Sequence, residues 1–152
     1  MKLSTHFDLS ELVASNKAAQ LRINNTPPPE LLPRLVILAE MLERIRSTLN
    51  TPITITSGYR CEALNRAVGS RSTSDHPQGH AADFVAPGFG TPTEIARLLA
   101  PLVSVLGIGQ IILEGVGGKQ WVHVSTHTPE REINRVITVT DAGTVPGIVG
   151  LA

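Results

Sequence analysis

Between Glu30 and Leu49 the apolar residues Leu31, Leu35, Leu38, Leu42, Ile45 and Leu49 alternate separations of three and four. That rhythm puts one apolar stripe on a helix and predicts a core face there. Pro33 falls in the first turn, where its missing N–H costs little. Thr91-Pro92-Thr93-Glu94 predicts another helix start, with a Thr cap, Pro at the first position and Glu at the third. Ile95, Leu98, Leu99 and Leu102 supply its buried face, and Pro101 should kink or end it. A short helix should open at Asp8, with Glu11 reciprocating the cap and Phe7 and Leu12 spaced as a staple, and end near Ser15-Asn16. Another runs around Glu62 to Val68 and is closed by Gly69. Residues Ile23 to Pro29, with three prolines, read as an extended connection.

Strand-like alternation appears at Ile53 to Ser57, Ala82 to Ala86, Gly109 to Glu114, Gln120 to Thr126 and Arg135 to Thr140. The Gly-rich loop Gly115 to Lys119 should join two of these as a hairpin. The tail from Asp141, rich in glycine, is expected to be loosely packed. No repeat or linker interrupts the chain. The expectation is one α+β domain over residues 1–152, a mainly antiparallel sheet flanked by helices.

Composition narrows the function more than the fold. A chain of 152 residues, 41% hydrophobic and 17% charged, is an ordinary globular one. Thirteen basic and thirteen acidic residues cancel, with no Lys or Arg run, so there is no electrostatic footprint for nucleic acid or an anionic membrane. No segment approaches the ~18 apolar residues of a membrane span. Met1 to Asp8 lacks the apolar run of a signal peptide, so a soluble cytoplasmic product is expected. A substrate beyond the membrane would then be reached after release, or as part of a phage particle. Cys61, the single cysteine, excludes an internal disulfide. Arg60 beside it could depress its pKa, but the ordinary reading is a small core filler. Oligomeric state is left open.

The candidate chemistry lies in Ser74-Asp75-His76-Pro77-Gln78-Gly79-His80-Ala81-Ala82-Asp83 and Trp121-Val122-His123-Val124-Ser125. Two histidines and an aspartate compose a candidate three-ligand metal site, His76, Asp83 and His123; zinc takes such donors and keeps a fourth position open. Pro77 and Gly79 rule out a helical ligand pair, so His76 is placed on a loop feeding a strand near Asp83. Alternation puts Trp121, His123 and Ser125 on one strand face, Val122 and Val124 on the other. Taken alone, a histidine such as His123 is more often a satisfied buried histidine than a ligand.

The Ser-x-His-x-x-Gly-x-Ala-x-Asp pattern at Ser74 to Asp83 resembles the zinc-site signature of the D-alanyl-D-alanine carboxypeptidase and phage endolysin peptidases, which share the hedgehog signalling-domain fold. Ser57-Gly58-Tyr59-Arg60 resembles that family's Ser-Gly-Tyr-Arg segment, and Trp121-Val122-His123 its Trp-x-His element. The stretch Asn25-Thr26-Pro27-Pro28-Pro29 looks like phage-borne members. The resemblance implies a Zn²⁺ cofactor held by His76, Asp83 and His123. Arg60 becomes the cation that anchors substrate, its guanidinium fork suiting a carboxylate or carbonyl. Ser74 would orient the metal loop, and Trp121 and His80 would border the substrate. The implied partner is the stem peptide or crosslink of peptidoglycan.

The general base is where the pattern departs. Many relatives place an acid three residues before the last histidine; here that residue is Gln120. Glu114 is the expected substitute, carried beside Trp121 and His123 by the hairpin, with a solvated strand-end glutamate as the plain alternative. His80 and His127 are further transition-state candidates or surface histidines. Two function classes follow: a zinc peptidoglycan peptidase, carboxypeptidase or endolysin-like endopeptidase, and a zinc-containing but non-catalytic peptidoglycan-binding module, favoured by Gln120. A cysteine hydrolase built on Cys61 is the remote third.

Overall fold

The Leu31-to-Leu49 stripe forms the long helix α3, Leu32–Leu49, entered through one 3₁₀ turn at Pro29–Leu31. Its inner residues Leu35, Leu38, Leu42 and Ile45 are fully buried, each contributing roughly 1.5–3 kcal/mol. The computed structural model describes residues 1–130 and 132–151.

Caps set the shorter helices. Asp8 accepts from the Ser10 N–H at 3.0 Å and Glu11 accepts from the Asp8 N–H at 2.8 Å, opening α1, Leu9–Val13. The helix ends at Val13, capped by Ala14, just short of the expected Ser15-Asn16. Ser15 accepts from the Ala18 N–H at 3.1 Å and starts a separate helix, α2, Asn16–Leu21. Helix α4, Glu62–Ala67, is followed by Gly69 at φ 76°. Helix α5, Pro92–Leu99, carries the Thr91/Glu94 capping box. Pro101 lies in the 3₁₀ turn Ala100–Leu102 that ends it, and α6, Val103–Leu106, follows.

Among the described residues six strands form one sheet: β1, Thr54–Ser57; β2, Ala81–Val85; β3, Gln110–Val116; β4, Lys119–Ser125; β5, Arg135–Thr140; and β6, Gly143–Pro146. Their spatial order is β1-β2-β4-β3-β5-β6, antiparallel except for β3 beside β5. The β3–β4 hairpin is tighter than the five-residue loop read from the sequence. Gly117 and Gly118, at φ 59° and 77°, make a two-residue turn whose positive angles suit the strand twist. The segment from Asp141 turns back as β6, all four residues exposed, and Thr138 Oγ1 donates to the Gly147 carbonyl at 2.8 Å.

One sheet face is apolar. Phe84, Val122, Val124, Ile111 and Leu113 are fully buried in a cluster shared with α3 and α5, and α5 packs on β3 and β4. On the other face Asp83, His123, Ile112 and Glu114 help to line a cleft. Among the described residues no helix is long and apolar enough to cross a membrane.

Candidate metal centre

The sheet register fixes two of the three predicted donors. Ser57, Asp83, His123, Ile112, Ile137 and Pro146 stand opposite one another in a single row across all six strands. Residues directly opposite share a face, so Asp83 and His123 project together into the cleft. The third donor, His76, opens a 3₁₀ turn, His76–Gln78, that ends at Gly79 with φ 75°. Ser74 Oγ accepts from the His76 N–H at 3.3 Å, and His76 Nδ1 donates to the Gly58 carbonyl at 2.7 Å. Gly58 sits tightly: a Cβ there would overlap the Leu12 carbonyl, which already accepts from the Tyr59 N–H at 2.6 Å.

The three side chains converge on one carboxylate oxygen. Asp83 Oδ1 lies 2.8 Å from His123 Nδ1 and 3.3 Å from His76 Nε2. All three residues are buried, and their donor atoms lie within 4.8 Å of one another. Burial holds the His76 imidazole below its ordinary pKa, although Asp83 pulls the other way. Burial alone would raise the Asp83 carboxyl, but the two histidines outweigh it and hold it well below the usual carboxylate range. Burial also works against a charged His123, yet the hydrogen bond and charge of Asp83 prevail and raise it.

The donor set fits a metal ion. With Nδ1 of a neutral His76 committed to a carbonyl, Nε2 presents a lone pair to an ionised carboxylate, two acceptors with no proton to share. A cation among them satisfies both, and the Gly58 carbonyl is the kind of outer partner that fixes a ligating imidazole.

Arg60 and Glu114 border this cluster. Arg60 Nη2 is 3.5 Å from Asp83 Oδ2, while its Nε donates to Ser57 Oγ at 3.0 Å and its Nη1 to Asn65 Oδ1 at 3.2 Å. Burial lowers the Arg60 pKa against the pull of Asp83 and Glu114. Glu114 pairs in register with Trp121, and its Oε1 lies 3.9 Å from His123 Nδ1. Burial, then the charge of Asp83, raises its pKa. Arg60, Ser74, Glu114 and Trp121 all line a cleft of about 900 Å³ together with the donor triad.

Residues 5–125 match the family described as Peptidase M15. The chain belongs to that family. No curated protein sequence matches it. The Peptidase M15 match ends at the last residue of β4, so β5 and β6 fall outside it.

Not every candidate joins the site. His80 does not line the cleft: its ring stacks on His127, centroids 5.5 Å apart, and its Nδ1 is 3.4 Å from Thr126 Oγ1. Gln120, three residues before His123, alternates onto the opposite face, where it borders a hollow with Gly115 and Leu151. Cys61 is half-buried against the core cluster and its N–H donates to Asn25 Oδ1 at 2.8 Å.

Three supports escaped the sequence reading. Asn25 also donates to the carbonyls of Val13 and Tyr59, both at 2.9 Å, clamping the Arg60 loop to the N-terminal arm. Asn65, buried, ties Arg60 to the Arg71 carbonyl. Asp75 accepts from Ser125 Oγ at 2.8 Å, fixing the metal loop to the end of β4. The three prolines after Asn25, which stiffen its neighbourhood, are the only sequence signal for any of these.

Proposed function

We propose that this chain is a zinc metallopeptidase that hydrolyses a peptide bond in the stem peptide or crosslink of bacterial peptidoglycan. The observation that carries the reading is the convergence of His76 Nε2 and His123 Nδ1 on Asp83 at the floor of an open cleft, with Glu114 3.9 Å from His123. Zinc held by His76, Asp83 and His123 would polarise the scissile carbonyl and lower the pKa of a water towards ~7.

The remaining work falls to the chain's own side chains. Glu114 accepts the attacking water's proton and passes it to the departing amine; a carboxyl raised by burial suits that exchange. Arg60, pre-set by Ser57 and Asn65, offers its guanidinium to a substrate carbonyl or carboxylate. Trp121 gives the cleft an apolar wall beside Glu114. The open cleft suits an internal bond, in an endolysin-like role, or a terminal D-alanine.

The test is mass spectrometry of purified peptidoglycan incubated with zinc-loaded protein, beside His123→Ala. New peptide fragments with the parent protein alone are expected, and the freed termini name the bond. A zinc-loaded protein that yields none overturns the peptidase. A non-catalytic peptidoglycan-binding module is the second reading, motivated by Gln120; retained binding without cleavage would establish it.

A further inference from the structure

The chain as a whole is neutral, thirteen cations against thirteen acids, but its cleft is not. Five basic residues line it, Lys17, Arg60, Arg71, Lys119 and Arg135, against the three acids Asp75, Asp83 and Glu114. All three acids have partners: Asp83 and Glu114 in the donor cluster, Asp75 with Ser125 and His127. Of the cations, Arg60 is held by Asp83 and its neighbours, and Arg135 pairs with Glu132 at 3.1 Å. Lys17, Arg71 and Lys119 are exposed, and among the described residues their charged groups form no ion pair or hydrogen bond.

These three charges surround the donor cluster from different elements. Lys119 stands on β4 four residues before His123 and on the same face, so about 13 Å along the strand. Lys17 lies on α2, which packs against α4, and Arg71 on the loop beyond α4. Arg71 is linked back to Arg60 through Asn65. A peptide laid through the cleft with its scissile bond at the cluster would therefore pass unpaired cations a few residues from that bond.

We infer that Lys17, Arg71 and Lys119 are specificity determinants that select a peptide bearing several free carboxylates over its carboxamide counterpart. The inference rests on the peptidase reading for the bond that is cut, but not for the binding. An exposed charge pair is worth a factor of roughly 1.5 to 5 in affinity, so three together give about a tenfold preference. That preference should fade with salt, because charges in open solvent are screened beyond about 10 Å at 0.1 M.

Trp121, the sole tryptophan, lines the cleft and supplies a readout independent of cleavage. The experiment titrates zinc-loaded protein with two stem peptides, one with free side carboxylates and one with those groups amidated, following Trp121 fluorescence and, in parallel, hydrolysis. The acidic peptide should bind about tenfold tighter at low salt and lose most of that advantage near 0.5 M salt. The Lys17→Gln/Arg71→Gln/Lys119→Gln variant should bind both peptides alike, the change falling on KM for the acidic one. Equal affinities in the parent protein, or a preference that survives in the triple variant, overturn the inference and make the three ordinary solvated charges. A preference in binding with neither peptide cut upholds the inference and defeats the peptidase. Cleavage with no preference does the reverse.

Discussion

Two histidine–carboxylate clusters grow from the same ten-residue stretch, and only one is built for a metal. In the first, His76, Asp83 and His123 are buried, and both imidazoles aim a ring nitrogen at the same Asp83 oxygen. In the second, Asp75, His80 and His127 have comparable spacing along the chain, yet both Asp75 oxygens are engaged and each imidazole Nδ1 has a neighbour, Asp75 or Thr126. Asp75 Oδ2 takes the Ser125 hydroxyl at 2.8 Å, Oδ1 lies 3.3 Å from His127 Nδ1, and the two imidazoles stack. His127 is 51% exposed, so water competes for whatever it offers. Residue type does not separate a ligand set from a hydrogen-bond network. Burial and the direction of the lone pairs do.

The sharpest way to break that contrast is to remove one member of each. Asp83→Ala should abolish metal retention, a loss well beyond the ~10–100-fold that outer partners command, whereas His127→Ala should keep its metal. Elemental analysis after dialysis against a chelator decides it; comparable retention in both would erase the distinction. Glu114→Gln comes next, because it separates holding a metal from using it. Its kcat should fall by about 10²–10⁴ with metal content and Tm unchanged, and undiminished turnover would remove Glu114 as the base.

Smaller effects probe how the first cluster is held. Gly58→Ala drives a methyl into the Leu12 backbone, which should cost roughly 1–3 kcal/mol in chemical unfolding. It should also loosen metal binding, because the Gly58 carbonyl orients His76; unchanged affinity would deny that carbonyl its part. The gentlest probe is pH. A metal binds the unprotonated imidazole, and Asp83 raises His123 above its ordinary 6.5. Affinity should therefore be complete above that raised value and weaken about tenfold per pH unit below it. His76, held below 6.5 by burial, joins the competition only at lower pH. A competition titration with a chromophoric chelator measures the slope, and a flat profile would contradict it.

The sequence made the scaffold legible where a local rule governs. The α3 stripe, both capping boxes and the β3–β4 pairing depend on neighbours within a few residues. Gln120 shows how far that reasoning reaches: strand alternation alone turns it from His123, while placing Glu114 near the cluster needs the hairpin register. Long-range features were opaque. Nothing local says that β5 lies parallel to β3, or that Asn25 reaches across to Tyr59 and Cys61. The position of His80 was opaque for the same reason, since its ring lies against His127 and Thr126 from a different segment.

The six-strand row through Asp83 and His123 makes the candidate centre a gauge of strand alignment. A one-residue slip of β2 against β4 would carry Asp83 to the apolar face and bring Ala82 or Phe84 into its place. No side-chain rotation could repair that, because the error is a half-turn of the backbone. An ion that needs both residues at once would bind the correctly aligned sheet and ignore every neighbouring misalignment, so its binding energy would be added to one register alone.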